Sequence, residues 1–396
     1  MTRNPYESLG RKAWYIVNPK QPLPSNSSTS SESLPTFGNW RAIERLGRGG
    51  QAATFRAERV GTPRHLGKDL RKHLVAWIPR NAVIKWFASG DFSEERIDRE
   101  FEALSRLAQV PGIPRPLDRG MHDGMPWIAL QEIQGPSASQ YARDCGAQSP
   151  TSWLSAVIRL AGALSMAHER DVLHRDINPN NIVVAKRIQL RMRSIPHTRW
   201  SPIAVPGNSV PSLIDFGLAI LDEDHSYTTL SQRFHGTDPY VAPECAGNSF
   251  AQTPASDVYG LSASLLFMAL GEIPEVVLAE RISFLQFKQW QESCAKLDLD
   301  WQQDLLTPGL SESPDPRPSA RALYVAASRV QAEHLLACGA QRIDMLQVAA
   351  LTSLYATRRE DWVAVEAWLT AAQPPNSALW NRYREQLTTF LSHGQG

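Results

Sequence analysis

The fold prediction depends on the stretch "VLHRDINPNNIVV", which runs from Val172 to Val184. It contains a His-Arg-Asp triplet and, five residues after the aspartate, an asparagine. Asp176 could accept the proton of a substrate hydroxyl, and the amide oxygen of Asn181 could ligate a divalent metal. Magnesium-assisted phosphoryl transfer needs this spacing. Taken alone, the same residues could form a turn in which Asp and Asn cap their own backbone.

Three further side chains fit the same chemistry. The stretch "LIDFG" supplies Asp215, a second hard oxygen ligand that follows an apolar strand. The stretch "NAVIKWF" places Lys85 on a strand, and the helical pattern "FSEERIDREFEALSRL" offers Glu100, which could pair with the lysine. Each has an ordinary explanation as well, because strand lysines and charged helix faces are usually just solvated.

A glycine-rich turn precedes the lysine. The stretch "LGRGGQAATF", from Leu46 to Phe55, places Gly47, Gly49 and Gly50 between the first two predicted strands. A backbone without Cβ atoms can approach phosphate oxygens closely. A turn between two strands also needs glycine for its own geometry, so this signal is weak by itself.

The distribution of apolar residues divides the chain into four parts. Residues 1–38 are rich in Ser, Pro and Asn and are predicted to be a flexible leader. Residues 39–134 contain short β-type runs and one amphipathic helix, which predicts a small antiparallel β lobe. Residues 135–336 are mainly helical, and residues 338–396 are predicted to form a helical C-terminal extension. The expected fold class is α+β with two lobes.

The order of glycine turn, strand lysine, helix glutamate, HRD loop and DFG resembles the eukaryotic-type protein kinases over about residues 40–336, and their soluble bacterial Ser/Thr members. The resemblance implies ATP, Mg²⁺ or Mn²⁺, and a protein substrate. It implies catalytic roles for Asp176, Lys85, Glu100 and Asn178, and metal binding by Asn181 and Asp215. Nucleotide contacts are expected from Leu46, Gly47, Arg48, Gly49, Gly50, Thr54, Val83, Lys85, Gln131 and Ile133. Structural roles are expected for Arg175, Thr237, Glu244, Asp257 and Arg317.

The chain departs from the family pattern at the catalytic loop and the adenine pocket. Asn178 replaces the lysine that helps neutralise the transferred phosphoryl group in Ser/Thr members, and losing such a charge typically costs about 10²–10³-fold in rate. Thr54 and Val83 stand where Val and Ala are usual, which predicts a tighter adenine pocket. ATP is the expected nucleotide, and guanine selectivity stays open. Thr237 in "GTDPY" resembles the Ser/Thr branch.

Two functions follow from these residues. The first is an active protein Ser/Thr kinase that phosphorylates protein hydroxyls. The alternative is a nucleotide-binding pseudokinase that scaffolds partners through its basic insertions and helical tail. Asn178 is the sequence feature that supports the alternative, since every principal ligand is present.

Regulation and partners are suggested by three segments. The loop "DEDHSYTTLSQRFHG" offers phosphoacceptors for autophosphorylation, namely Ser226, Thr228, Thr229 and Ser231. Two basic insertions, residues 59–80 and 185–211, could together bind an acidic protein, or could be unrelated solvated loops. The apolar faces of the C-terminal helices predict packing on the large lobe, or contact with a partner or a second copy.

Composition excludes several classes. With 41 Lys+Arg against 40 Asp+Glu the net charge is +1, so nucleic acid and anionic membranes are not expected partners. The four cysteines form no CxxC pair, which argues against a disulfide framework or a zinc site. The longest apolar run, residues 261–270, is too short to span a bilayer. A cytoplasmic protein is expected.

Overall fold

The computed structural model describes residues 34–48, 52–60, 79–87, 94–186, 209–216, 240–245, 251–271, 305–337, 355–356, 358 and 361. Several predictions lie outside these residues: Gly49 and Gly50, the phosphoacceptors Ser226, Thr228, Thr229 and Ser231, Thr237, the central parts of both basic insertions, and most of residues 338–396.

The first part of the chain forms a six-stranded antiparallel sheet with strand order β1-β2-β3-β4-β6-β5. The strands are β1 (Thr36–Phe37), β2 (Trp40–Arg48), β3 (Ala53–Arg59), β4 (Asn81–Trp86), β5 (Pro116–His122) and β6 (Met125–Gln131). Helix α1 (Glu94–Arg106) packs against β5 and β6. Alternation along β3 and β4 buries Ala53, Phe55, Ala57, Ala82 and Ile84 in one core, which leaves the residues between them for the opposite face.

The sheet starts earlier than the predicted boundary at residue 39. Thr36 and Phe37 pair with β2, and Phe37 is completely buried. Its ring lies 4.9 Å from the ring of His122 and 5.6 Å from that of Phe55, measured between centroids. Burying one such side chain contributes about 1.5–3 kcal/mol, which explains why the last residues of the Ser- and Pro-rich stretch join the sheet.

The second part is mainly helical. It contains α2 (Ala138–Cys145), α3 (Pro150–His168), α4 (Pro254–Leu270) and α5 (Ala320–Ala337). Proline at the first turn starts α3 and α4, and the left-handed Gly271 ends α4. Both α3 and α4 are buried almost all round, and Trp153 of α3 donates from Nε1 to the Leu265 carbonyl of α4 at 2.8 Å. Among the described helices, none is long and apolar enough to cross a bilayer.

A hairpin in the helical lobe positions the site. Strands β7 (Ile182–Lys186) and β8 (Ser209–Leu213) are antiparallel, and they begin just after Asn181 and end just before Ile214 and Asp215. The Ile214 amide donates to the Asn181 carbonyl at 2.9 Å, which closes the hairpin base. The two predicted metal ligands are therefore neighbours, although 34 positions of numbering separate them.

Candidate active site

A lysine from the small lobe meets a carboxylate from the large lobe across the cleft. Lys85 lies on β4, on the face opposite to the buried side chains of Ala82 and Ile84. Its ammonium contacts the Asp215 carboxylate and lies 3.7 Å from Oε1 of Glu100. The structure thus brings three of the predicted site residues to one point.

Glu100 reaches the lysine because of its place on α1. Ile97, Ala103 and Leu104 form the buried stripe of this helix, and Glu100 falls within the same stripe, with its side chain 5% exposed. A buried carboxylate needs a cationic partner. Burial disfavours the charged form of Lys85, but the carboxylates of Asp215 and Glu100 outweigh burial and raise its pKa. The lysine is therefore charged at neutral pH.

Asp215 combines exposure with an unusual backbone. Its side chain is 46% exposed, so one side of the carboxylate faces open space in the cleft. Its φ is 65°, and Arg175 in the catalytic loop has a φ of 70°. Non-glycine residues in this left-handed region cost about 1–3 kcal/mol each and persist where the surroundings enforce them, often at functional sites.

Asp176 is held by the two asparagines that follow it. Asn181 donates from Nδ2 to Oδ2 of Asp176 at 2.9 Å and to its carbonyl at 2.8 Å. Asn178 donates from Nδ2 to Oδ1 of Asp176 at 3.0 Å. Both carboxylate oxygens therefore have an amide partner, which fixes the orientation of the side chain.

Asn178 has a local role that its sequence position did not reveal. It is 2% exposed, and its Oδ1 accepts from the Asn180 backbone amide at 3.0 Å while its Nδ2 serves Asp176. The amide thus joins the aspartate to the following turn. The structure places it as a neutral hydrogen-bond donor to Asp176, where the family pattern has a charged lysine.

The protonation of Asp176 is tuned by its surroundings. Burial and the neighbouring Asp215 carboxylate raise the pKa of Asp176, against the opposing effects of His174 and the amides of Asn178 and Asn181. A carboxylate with a raised pKa is a stronger base than an ordinary aspartate. This property suits a group that takes up a proton.

A second aspartate, Asp257 on α4, binds the backbone of the loop that carries Asp176. Its Oδ2 accepts from the His174 amide at 2.9 Å and its Oδ1 from the Arg175 amide at 2.8 Å. His168 at the end of α3 lies 3.0 Å from Oδ2. The His174 ring in turn lies 3.0 Å from the Ile214 carbonyl, so one brace links the loop to the segment before Asp215.

The lower part of the large lobe is fixed by a buried ion pair. Arg317 donates to both carboxylate oxygens of Glu244, at 2.6 and 2.8 Å. Its other contacts include the Ser311 carbonyl at 2.9 Å and the Tyr259 ring, whose centroid lies 5.0 Å away. A bidentate arginine pair with further acceptors is a rigid structural junction.

Three of the predicted nucleotide contacts, Thr54, Val83 and Lys85, share one face of the sheet. Thr54 pairs directly with Lys85 and with Gly47, and Val83 pairs with Leu130. Residues that are directly opposite in an antiparallel sheet project to the same side. Thr54 and Val83 therefore lie on the Lys85 side. Among the other predicted contacts, Leu46 and Arg48 lie on β2 and Ile133 lies just after β6. Gln131 at the end of β6 pairs with the core residue Ala82, so its side chain projects to the face opposite to Lys85.

Sequence reasoning missed a charged contact at the edge of this face. Arg56 donates from Nε to Oε1 of Glu132 at 2.6 Å and also contacts the Glu44 carboxylate. Glu132 follows β6 in the linker between the lobes, and its side chain is 5% exposed. The side of the sheet on which Arg56 lies could have been predicted, because Arg56 comes two residues after Thr54 on the same strand and so projects to the same side.

The donor set fits magnesium better than a metal that proteins enclose fully. The described residues contain no cluster of three or more His, Cys, Asp or Glu side chains that could hold an ion. Mg²⁺ is usually bound by one or two protein oxygens together with phosphates and water. Asp215 offers an exposed carboxylate, and Asn181 directs its Nδ2 to Asp176, which leaves Oδ1 for a cation.

A lysine–carboxylate contact across a cleft, with an aspartate and an asparagine on one loop, is an arrangement typical of phosphoryl-transfer sites. The family described as protein kinase domain matches residues 71–325, more than half of the chain. The chain belongs to this family, and it has the family's two lobes, one with an antiparallel sheet and one mainly helical. The resemblance predicted from the motifs is confirmed.

Similar proteins are named as bacterial serine/threonine-protein kinases. AfsK of Streptomyces griseus is 28% identical over 241 residues, which cover 60% of this chain and 25% of AfsK. PknF of Mycobacterium tuberculosis is 30% identical over 260 residues, covering 63% of this chain and 47% of PknF. Serine/threonine-protein kinase B of Synechocystis sp. is 26% identical over 275 residues, covering 66% and 43%. The chain thus spans between a quarter and about half of the length of these relatives.

Proposed function

We propose that the protein is an ATP- and Mg²⁺-dependent protein serine/threonine kinase. The observation that carries the proposal is the convergence of Lys85, Glu100 and Asp215 at one point in the cleft. Membership of the protein kinase family and the names of its bacterial relatives support the same conclusion.

The roles of the residues follow from their positions. The Lys85 ammonium, oriented by Glu100, would bind nucleotide phosphates, and Asn181 and Asp215 would hold the metal. Mg²⁺ held there would neutralise part of the charge of the nucleotide phosphates. Asp176 would accept the proton of the substrate hydroxyl. The hydroxyl oxygen would form a bond to the γ-phosphorus while the bond between the γ-phosphorus and the ADP oxygen breaks. Catalysis would rest mainly on positioning and electrostatics.

Asn178 is proposed to support the base rather than the phosphoryl group. Its Nδ2 is 3.0 Å from Oδ1 of Asp176, and its Oδ1 caps the Asn180 amide. This arrangement orients the carboxylate without adding positive charge. A slower kinase than its lysine-bearing relatives is therefore the expected consequence.

Further parts of the proposal concern residues outside the described ranges. Autophosphorylation among Ser226, Thr228, Thr229 and Ser231, an acidic partner at the basic insertions, helices over residues 338–396, and a cytoplasmic location are proposed from the sequence. ATP is proposed as the nucleotide because the family resemblance implies it, and Thr54 and Val83 are expected to make the adenine pocket tighter.

The test is transfer of labelled phosphate by the purified full chain. The protein is incubated with labelled ATP and Mg²⁺, alone and with a generic basic acceptor protein, beside Lys85→Ala and Asp176→Asn variants. We expect label on serine or threonine with the wild-type chain and a large loss with both variants. Nucleotide-dependent thermal stabilisation without any labelling would instead identify a non-catalytic scaffold.

A further inference from the structure

A tyrosine from the C-terminal segment is inserted into the helical lobe. Tyr355 is 3% exposed and lies directly over Gly162 of α3. A Cβ atom at position 162 would be 2.4 Å from Cγ of the tyrosine, so only glycine leaves room for the ring. The ring also meets Tyr324 of α5 edge-on, with centroids 6.1 Å apart. Helices α3 and α5 therefore form a socket for this side chain.

A second contact anchors the same segment. Arg321 of α5 donates to Oδ1 of Asp361 at 2.5 Å, and the Asp361 side chain is 1% exposed. The other oxygen of Asp361 accepts from the Arg358 amide at 3.0 Å, and the Asp361 amide donates to the Arg358 carbonyl at 3.1 Å. The segment thus carries an apolar anchor and an ionic anchor six residues apart, both directed at α5.

The tyrosine also reaches the loop that follows α1. The Tyr355 hydroxyl is 3.6 Å from where a Cβ atom of Gly112 would be, in the loop that follows α1. The Gly112 carbonyl accepts from the Leu213 amide at 2.8 Å. Leu213 is followed by Ile214 and then Asp215, the proposed metal ligand. One ring therefore lies against the loop after the Glu100 helix and close to the strand before Asp215.

Helix α3 connects the same ring to the catalytic loop that carries Asp176. Helix α3, which carries Gly162, ends at His168, and His168 pairs with Asp257, the brace of the catalytic loop. Burial raises the pKa of the Tyr355 hydroxyl, against the effect of the Arg159 guanidinium, so the inserted ring is neutral. The elements that support Glu100, Asp176 and Asp215 thus all reach this socket.

We propose that Tyr355 and Asp361 anchor this part of the chain on the large lobe of the same molecule. We also propose that Tyr355 is a positioning residue that holds the elements supporting Glu100, Asp176 and Asp215 in their relative positions. The segment would act as a built-in activator whose release lowers phosphoryl transfer. The effect on transfer rests on the proposed kinase function, whereas the anchoring does not.

The anchoring is tested without reference to activity. Hydrogen exchange of the Leu213 amide is measured in the wild-type chain, in Tyr355→Ala and in the matched control Tyr355→Phe, which keeps the ring over Gly162. We expect Tyr355→Ala to speed exchange at Leu213 by at least about 10-fold, with the phenylalanine variant close to wild type. Equal exchange rates at Leu213 in all three proteins would overturn the proposed anchoring by Tyr355.

The ionic anchor is tested by exchanging its charges. Arg321→Asp and Asp361→Arg are each expected to lower the melting temperature, and the double exchange is expected to restore it, because the pair is re-formed with opposite polarity. Failure of the double variant to recover would contradict the anchor. Light scattering over a range of protein concentrations is expected to show a monomer. A dimer that dissociates on dilution, with loss of the Tyr355 contact, would assign the socket to a second copy of the chain instead.

The effect on catalysis is measured separately. Circular dichroism first checks that the Tyr355→Ala protein is folded. For the folded variant we expect kcat to fall between about 3- and 30-fold and the KM for Mg·ATP to rise. Both values are expected to be restored in Tyr355→Phe. Unchanged kcat and KM beside altered exchange would show an anchor without a positioning role. No transfer by the wild-type chain would refute the kinase function and leave the exchange result standing.

Discussion

Asp176 and Asp257 lie on opposite sides of one short stretch of backbone, yet their surroundings shift their pKa values in opposite directions. Asp257 is almost fully buried, and its pKa is lowered, because His168, His174 and the loop amides outweigh the burial that would raise it. Asp176 receives two side-chain amides, but burial and the Asp215 carboxylate raise its pKa. The comparison teaches that hydrogen-bond and charge partners outweigh burial at Asp257, whereas at Asp176 burial and the Asp215 carboxylate outweigh the partners.

The largest expected effect separates the two aspartates by activity. Asp176→Asn keeps the shape of the side chain and removes its ability to take up a proton, so kcat is expected to fall by about 10²–10⁴-fold. Thermal stability is expected to stay the same or rise, because a repelled charge is removed. Steady-state kinetics and calorimetry on the same preparation check both outcomes. A variant that loses stability and keeps its turnover would reverse the assignment of the two residues.

The next effect is on stability. Asp257→Ala leaves the buried amides of His174 and Arg175 without their carboxylate, and each unsatisfied group costs about 1–3 kcal/mol. We expect the free energy of unfolding to fall by about 2–5 kcal/mol in urea titrations. Asp257→Asn is the matched control and is expected to lose less. A drop in activity without a drop in stability would place Asp257 in the chemistry instead.

A smaller effect is expected from the neighbour of the base. Asn178→Ala removes the amide that donates to Oδ1 of Asp176, and one hydrogen bond to a charged group is worth about 1.5–3 kcal/mol. We expect kcat to fall by about 10-fold or more, measured as initial rates at saturating ATP. Gln252→Ala is the control, because Gln252 donates to the Arg175 carbonyl and to neither aspartate. Equal losses in both variants would mean that only the loop conformation matters.

The smallest effect is a difference in pH dependence. The lowered pKa of Asp257 contributes stability that is present above the ordinary aspartate value of 3.8 and is lost as the pH falls through the folded-state value. The raised pKa of Asp176 makes its ionisation destabilising as the pH rises from 3.8 through the folded-state value. Relative to wild type, Asp257→Asn should therefore lose stability and Asp176→Asn should gain it as the pH rises. Denaturant titrations from about pH 2 to 7 cover the window below 3.8 for Asp257 and the window above 3.8 for Asp176. The same sign for both variants would remove the contrast.

Much of the site arrangement could be anticipated, because kinase chemistry leaves a fixed order of short motifs. Lys85, Glu100, Asp176, Asn181 and Asp215 were located by that order, and their assigned roles stay predictions until variants are measured. The fold class followed from the period-two runs before Gly135 and the helical spacing after it.

The remainder depended on contacts between residues that are distant in sequence. Arg56 and Glu132 are 76 residues apart, and nothing local to either indicates a bond. Phe37 is part of the sheet although the composition around it favours a flexible leader, because its aromatic ring is completely buried in the core of the small lobe. Tyr355 over Gly162 is the same kind of event, in which a missing Cβ atom on one helix is meaningful only once the partner is known.

The hairpin of β7 and β8 makes the kinase domain tolerant of added chain. Five consecutive residue pairs, from Ile182 with Leu213 to Lys186 with Ser209, separate the two proposed metal ligands from the far end of the hairpin. We therefore expect a change of chain length beyond Lys186 to leave both proposed ligands in place, because the closure entropy of a connection rises only slowly with its length. A fluorescent reporter or an affinity handle inserted between positions 187 and 208 is expected to label the protein in living cells with the proposed site intact.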